Sequence, residues 1–291
     1  MKANYLLLAM PVVALLMNAC RKDVTEKQPS SLNGKVAVVE RAAAPSWLVS
    51  KVTYTDLIIG DTHESVYSYN TWNKPVYRIR TIRSGGKVAV DTTFFFYNSS
   101  QQLIKFSPSE VKWGDTAYLR YDARGRLSQI RSGGGLHDID YTYPNDSTAV
   151  GTFGTVRDIF SHRDSRTVYF FYDGKGNLRQ ARLFQRDGDP ITDTTGLKPW
   201  LVYISGPYDD HPSADLSLNI PGPWMLAALS DDSYFFHWEY SPRFSANNPL
   251  LYTNYRNFQY TYKPYGLPDV ATEILSGRPE HTYKFEYIPA R

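Results

Sequence analysis

Tyr121-Asp122-Ala123-Arg124-Gly125-Arg126-Leu127 recurs downstream as Tyr172-Asp173-Gly174-Lys175-Gly176-Asn177-Leu178, and this repeat decides how the chain is read. Fixed-period self-similarity marks a structural unit. The residue before each copy alternates with aromatics (Tyr118-Leu119-Arg120-Tyr121), which suits a pleated strand. Asp opens a turn by accepting backbone bonds, and Gly three residues later supplies positive φ. The unit therefore predicts a β-hairpin with a three-residue loop, a type I turn closed by a glycine bulge. That geometry sets residue 122 opposite 126. It pairs Tyr121 with Leu127 on one face and Tyr118 with Ile130 on the other. In the second copy it pairs Tyr172 with Leu178 and Tyr169 with Ala181.

Looser copies extend the pattern. Tyr97-Asn98-Ser99-Ser100-Gln101-Gln102-Leu103 keeps the outline, and degenerate copies begin at Tyr69, Tyr143 and Tyr262. Tyr240 and Tyr287 end further aromatic-alternating strands. The expected fold is all-β: a long antiparallel meander of about 14–18 strands, with aromatics on both faces. Such a sheet needs curling or covering to avoid aggregation. One gap in the tyrosine series holds a loop-rich insertion, about 206–232, with Pro207, Pro212, Pro221 and Pro223. Pro223 is placed to start a short helix over Trp224–Leu229, predicted to plug or cover the sheet.

Composition sets the outer limits. The chain has 291 residues, with 15% aromatic, 21% charged and a formal net charge of +3. These values exclude collagen, a disordered polyampholyte and a multi-span helical membrane protein. Near-neutral charge gives no support for nucleic acid as a partner.

The N-terminus reads as a targeting segment. Lys2 precedes a mostly apolar run from Tyr5 to Met17, shorter than the ~20 residues that span a bilayer, and Met17-Asn18-Ala19-Cys20 follows. The run fits a secretory signal over 1–19. The motif resembles a bacterial lipobox, with Asn18 departing from the small or hydroxyl residue usual there. The resemblance implies cleavage before Cys20 and acylation of Cys20, the chain's single cysteine. With that thiol acylated, disulfides and cysteine-ligated metals are excluded. Residues 20–45 form a tether, with an r.m.s. reach of about 25 Å, and the β domain spans 46–291. Arg21-Lys22-Asp23 after the anchor resembles outer-membrane and surface-routing signals, so the expected location is the outer membrane or cell surface.

A second resemblance rests on the body of the chain. The Tyr-Asp-x-x-Gly-x-Leu units resemble YD repeats of the RHS type. Together with the lipobox, Ser245-Ala246-Asn247-Asn248-Pro249 and Tyr260-Thr261-Tyr262-Lys263-Pro264-Tyr265-Gly266-Leu267-Pro268, they resemble a family of bacterial lipoproteins of unknown function. That family implies a porin-like, curled antiparallel fold and brings no catalytic residues. A true porin is disfavoured, because Arg and Asp occur on both faces of the strands.

Chemical motifs are sparse. Asp173–Asn177 lacks two ligands of a calcium loop, having Lys175 at the third position and Phe184 at the twelfth. Asp187-Gly188-Asp189, Asp209-Asp210-His211 and His137-Asp138-Ile139-Asp140 read as polar loops rather than metal sites. No His-Glu-x-x-His and no Gly-x-Ser-x-Gly occur. No metal, cofactor or catalytic residue is therefore assigned. Arg78, Arg80 and Arg83, like Arg120, Arg124 and Arg126, read as the wet side of strands. Trp72, Trp113 and Trp224 are the ligand-binding candidates, because exposed aromatics stack on sugar rings. Trp200 and Trp238 are weaker ones. The expected function is a non-catalytic envelope lipoprotein, a binding or scaffold module for glycan or an envelope protein. A hydrolase of surface polysaccharide and a structural partner of an outer-membrane uptake system are the alternatives.

Overall fold

The computed structural model describes residues 46–108, 116–132, 138–157, 163–187, 194–218, 245–252 and 256–291. The leader, Cys20, the tether, Trp113, Trp224, Trp238 and the helix expected at Trp224–Leu229 lie outside them. In chain order the strands are β1 (Trp47–Asp56), β2 (Thr62–Tyr69), β3 (Pro75–Ser84), β4 (Lys87–Tyr97), β5 (Leu103–Pro108), β6 (Ala117–Tyr121), β7 (Leu127–Ser132), β8 (Ile139–Asn145) and β9 (Thr148–Arg157). They continue as β10 (Arg163–Tyr172), β11 (Leu178–Asp187), β12 (Leu201–Ile204), β13 (Tyr208–Pro212), β14 (Asn247–Pro249), β15 (Leu251–Tyr252), β16 (Arg256–Tyr262), β17 (Pro268–Leu275) and β18 (Arg278–Pro289). Sixteen form one antiparallel sheet in which almost every strand lies beside its sequence neighbour, and β13 with β14 forms a second. β1 is paired with β18 as well as with β2, so the first strand lies within the sheet. This is the expected meander.

The two full repeats are hairpins. In the first, the Asp122 carbonyl accepts the Gly125 amide at 2.9 Å and the Asp122 amide donates to the Arg126 carbonyl at 2.8 Å. Gly125 and Gly176 take φ of 75° and 86°, as the turn requires. Tyr121 pairs with Leu127 and Tyr172 with Leu178, as expected.

Beyond those pairs the expected register is wrong by one residue. Tyr118 faces Arg131 rather than Ile130, and Tyr169 faces Arg182 rather than Ala181. A second bulge follows each turn, with Ser128 and Arg179 as the extra residues. Val76, Ile104 and Asp269 are the extra residues in three other hairpins. An extra residue reverses the side-chain alternation downstream. Ile130 therefore joins Leu119 and Leu127 in the core, while Tyr118 stays half exposed. Aromatics occur on both faces, as expected, but the bulge decides which residue goes to which: Ile130 is inside and Tyr118 outside.

A bulge also disrupts the ladder locally, and tyrosine hydroxyls meet the carbonyls beside it. Tyr97 donates to the Pro75 carbonyl (2.8 Å), Tyr121 to Leu103 (2.7 Å), Tyr143 to Leu127 (2.7 Å) and Tyr287 to Pro268 (2.9 Å). In each case the acceptor is the residue just after a preceding turn. Tyr97, Tyr121 and Tyr143 thus each seal the turn of an earlier hairpin, a structural reason for the tyrosine in those copies. Burial pushes the Tyr97 and Tyr121 hydroxyls well above their usual range, keeping them protonated as donors.

The sheet curls without closing into one ladder, and its ends are bridged. After β12 the Gly206 amide donates to the Leu251 carbonyl in β15 (2.8 Å), and the Leu250 amide to the Pro207 carbonyl (2.9 Å). Within the insertion, read from sequence as loop, Tyr208–Pro212 is a strand and Ala214–Leu218 a 3₁₀ turn. That turn packs against β1, with Ala214 and Leu218 buried in the core. The helix expected at Trp224–Leu229 lies outside the described residues; the described part of the insertion meets the sheet through this 3₁₀ turn.

Candidate functional site

Trp72 sits at the tip of the β2–β3 turn, its amide held by the Asn70 side-chain oxygen at 3.0 Å. Its ring is 63% exposed. Trp200 is exposed too, but it leads into β12, far from β2 in sheet order. The expected aromatic cluster is thus represented by Trp72 alone among the described residues, since Trp113 and Trp224 lie outside them. Trp47, not singled out from sequence, stacks on Tyr265 at 4.2 Å with planes 10° apart.

The arginines correct a second expectation. Arg78 is buried on the inner face, where it donates to Thr93 Oγ1 at 3.0 Å. Arg80 pairs with Asp91 Oδ2 at 2.6 Å. Register explains this: Arg78 lies opposite Thr93 and Arg80 opposite Asp91, on the side shared with buried Phe95. Burial lowers the Arg78 pKa from its usual value. Only Arg83 of the three is exposed.

The same inner face carries a cluster that sequence reasoning missed. Glu273 on β17 is wholly buried. Its Oε2 lies 3.1 Å from His281 Nδ1 and accepts the Tyr283 hydroxyl at 3.3 Å, while Oε1 lies 3.4 Å from an Arg256 nitrogen. His281 Nε2 lies 3.7 Å from Asp56. The hydrogen bond from Glu273, with Coulombic help from Glu273 and Asp56, raises the His281 pKa despite burial. This Asp–His–Glu line has the letters of a proton relay. Its carboxylate is sealed between cations, which suits an internal ion-pair network. The available signal was the Ser276-Gly277 turn, which returns β18 so that His281 lies opposite Glu273.

The outer face of β2–β6 is the other unusual surface. Cross-strand pairing sets Val66 beside Ile79, Thr81 beside Val90, Arg83 beside Val88, Tyr77 beside Phe94 and Lys105 beside both Phe96 and Tyr118. Val66, Ile79, Val88, Val90, Phe94, Phe96 and Tyr118 are all exposed. The Lys105 ammonium lies 5.0 Å from the Phe96 ring centre and 5.7 Å from that of Tyr118. The corresponding face of β9–β11 is different: Val150, Thr167 and Phe184 are buried there. The apolar side chains of β2–β6 on this face are thus open to water where those named on β9–β11 are covered.

Fold and surface together define the class: an all-β chain built as a single curled antiparallel meander. No family model matches the chain, and no curated protein does. Among solved structures it is similar to a porin-like protein from Bacteroides uniformis. That likeness has a TM-score of 0.38 and 11% identity, and covers 82% of this chain and 96% of that one.

Proposed function

We propose that this chain is a non-catalytic cell-envelope lipoprotein, held at the outer membrane or cell surface through lipid on Cys20. It acts as a binding or scaffold module for an envelope protein. The supporting observation is the open apolar face of β2–β6, contrasted with the covered face of β9–β11. Burying several of its side chains against a partner is worth about 1.5–3 kcal/mol each when complete. Such a face supports the envelope-protein reading better than glycan stacking, for which the exposed described tryptophans, Trp72 and Trp200, lie far apart in sheet order.

The test is photocrosslinking in the native envelope, with the probe at Phe94 or, as control, at exposed Thr142 on β8. Discrete adducts are expected at Phe94 and not at Thr142, together with Cys20-dependent fractionation into membranes. Equal labelling at both positions, or none at Phe94, counts against the docking face. Loss of membrane association only when Cys20 is replaced supports the anchor independently.

A further inference from the structure

We propose that His281 is a pH-operated latch on the seam between β1 and β18, fastened while its imidazole is charged and released when it is neutral. Pairing sets His281 opposite Asp56 on β1 and opposite Glu273 on β17. The imidazole therefore stands between two carboxylates. Nδ1 lies 3.1 Å from Glu273 Oε2, and Nε2 lies 3.7 Å from Asp56 Oδ2. A neutral ring has one N–H and one lone pair, so one nitrogen would turn a lone pair toward an anion. Only the imidazolium suits both neighbours.

The groups packed around the ring come from five strands. Arg256 on β16 lies 3.4 Å from Glu273 Oε1, so two carboxylates meet two cations only while His281 is charged. Tyr54 on β1 lies 5.3 Å from the His281 ring, and His63 on β2 stands on Tyr54's other contact, at 5.1 Å. Tyr283 on β18 donates to Glu273 at 3.3 Å, and burial keeps its hydroxyl protonated. Glu280, the residue before His281, adds a further negative charge. The hydrogen bond to Glu273 and the fields of Glu273, Asp56 and Glu280 raise the His281 pKa above its ordinary 6.5, against burial.

Asp56 turns this charge into a structural response. Its Oδ1 accepts the Ile58 and Ile59 amides at 2.8 and 3.0 Å, and the Leu57 amide donates to the Glu280 carbonyl at 2.8 Å. The carboxylate cannot turn away from a neutral imidazole without giving up those amides. A neutral His281 keeps its single N–H for Glu273, the nearer and wholly buried partner. Asp56 then faces a lone pair, and the β1–β2 turn is what loosens. The Asp122 turn has the same amide pattern, but its aspartate is paired with Arg126, so it is the internal control. A raised folded pKa gives stability that is complete below the ordinary 6.5 and is lost as pH rises through the folded value. The latch opens toward alkaline pH.

The test titrates the full chain, labelled with ¹⁵N-histidine, by NMR. Hydrogen-exchange mass spectrometry follows 54–60 and, as control, 120–127. Expected at about pH 6 is a His281 ring protonated on both nitrogens. By about pH 8.5 the protection of 57–60 should fall about fivefold beyond the intrinsic pH dependence of exchange, while 122–126 holds level. Asp56→Asn keeps the oxygen that caps the turn and removes its charge. It should lower the His281 midpoint and abolish the pH dependence at 57–60. His281→Gln should hold the turn at its alkaline protection at every pH. A neutral His281 ring at about pH 6, or equal protection of 57–60 across the range, overturns the proposal. A fall that persists in Asp56→Asn overturns it too, because another group, His63 first among them, then drives the change.

Discussion

The two full Tyr-Asp hairpins share one local structure and have different fates. In both, the aspartate Oδ1 accepts the amides two and four residues on at 2.9 Å: Arg124 and Arg126 in one, Lys175 and Asn177 in the other. In both, the side chain at the sixth position returns to the aspartate's second oxygen, from Arg126 at 2.7 Å and from Asn177 at 3.3 Å. They part beyond that point. The Arg126 guanidinium lies over the neighbouring Tyr143 ring, 4.0 Å from its centre. Asn177 is 1% exposed and meets a segment seventy residues away: its side-chain Oδ1 accepts the Asn247 backbone amide at 2.9 Å, and its Nδ2 donates to Asn247 Oδ1 at 3.3 Å. The Leu178 amide donates to Ser245 Oγ at 3.1 Å, and the Tyr208 hydroxyl donates to the Leu178 carbonyl. One turn ends on its neighbour, while the other is the dock for the strip that bridges the sheet's ends. The turn is local chemistry, and the docking is a property of the sixth side chain.

Exchanging that side chain breaks the comparison most sharply. Asn177→Arg forces a guanidinium into a closed site and undocks Asn247; it is expected to cost about 3 kcal/mol or more. Arg126→Asn gives up a partly exposed ion pair and a ring contact, worth about 1 kcal/mol together. Urea denaturation of the two single variants measures the difference. Equal losses would mean that the strip at 245–249 adds little to stability.

How much of this was legible follows the same division. The repeat gave the hairpins, the turn type and the tyrosine–leucine pairs, because each depends on residues within seven positions of one another. The bulges at Ser128 and Arg179 were not legible, since neither residue has a property that demands one. They recur seven positions after the tyrosine in five hairpins, so they belong to the unit rather than to one residue, and missing them sent Ile130 to the wrong face. Ser245–Pro249 was recognised as a signature without a role; its partners, Asn177 and Asp209, are distant in sequence. Asp209-Asp210-His211 read as loop polarity, yet Asp209 accepts the Tyr262 hydroxyl and three Asn248 bonds, and His211 stacks on Tyr262 at 3.9 Å. The Glu273 cluster stayed hidden for the same reason. Buried charges are found by their partners, and Arg256, His281 and Asp56 come together only when β1, β16, β17 and β18 do.

The next test moves both hairpins together. Gly125→Ala and Gly176→Ala each place a Cβ at positive φ, costing about 1–2 kcal/mol. A Cβ at Gly125 meets Gln102 Nε2 at 3.5 Å, an ordinary contact, and at Gly176 it meets nothing within 4 Å. Neither site adds a clash, so the two costs should agree within about 0.5 kcal/mol. A much larger loss at Gly176, measured by thermal denaturation, would show that the docked turn has less freedom to relax than its contacts indicate.

The smallest effect at neutral pH, and the one that separates turn from dock most cleanly, comes from Asp122→Asn and Asp173→Asn. Asn already fills this position at Asn98 and Asn70, where its side-chain oxygen accepts the Gln102 and Lys74 amides at 2.9 and 3.0 Å. Either variant should therefore change stability by less than about 1 kcal/mol at pH 7. The acid limb is where they differ from the parent. For both carboxylates burial works to raise the pKa, but amide and side-chain donors outweigh it and hold the value below the ordinary 3.8. A depressed folded pKa contributes stability that is present above the unfolded value and lost as pH falls through the folded one. The parent should thus lose stability below about pH 4, and each Asn variant should lose less. If the aspartates act only through their turns, the two variants flatten the acid limb equally. If protonating Asp173 also releases Asn177 from its bond to the Asp173 carboxylate, the Asp173→Asn variant flattens it more, and the dock is coupled to the turn that carries it.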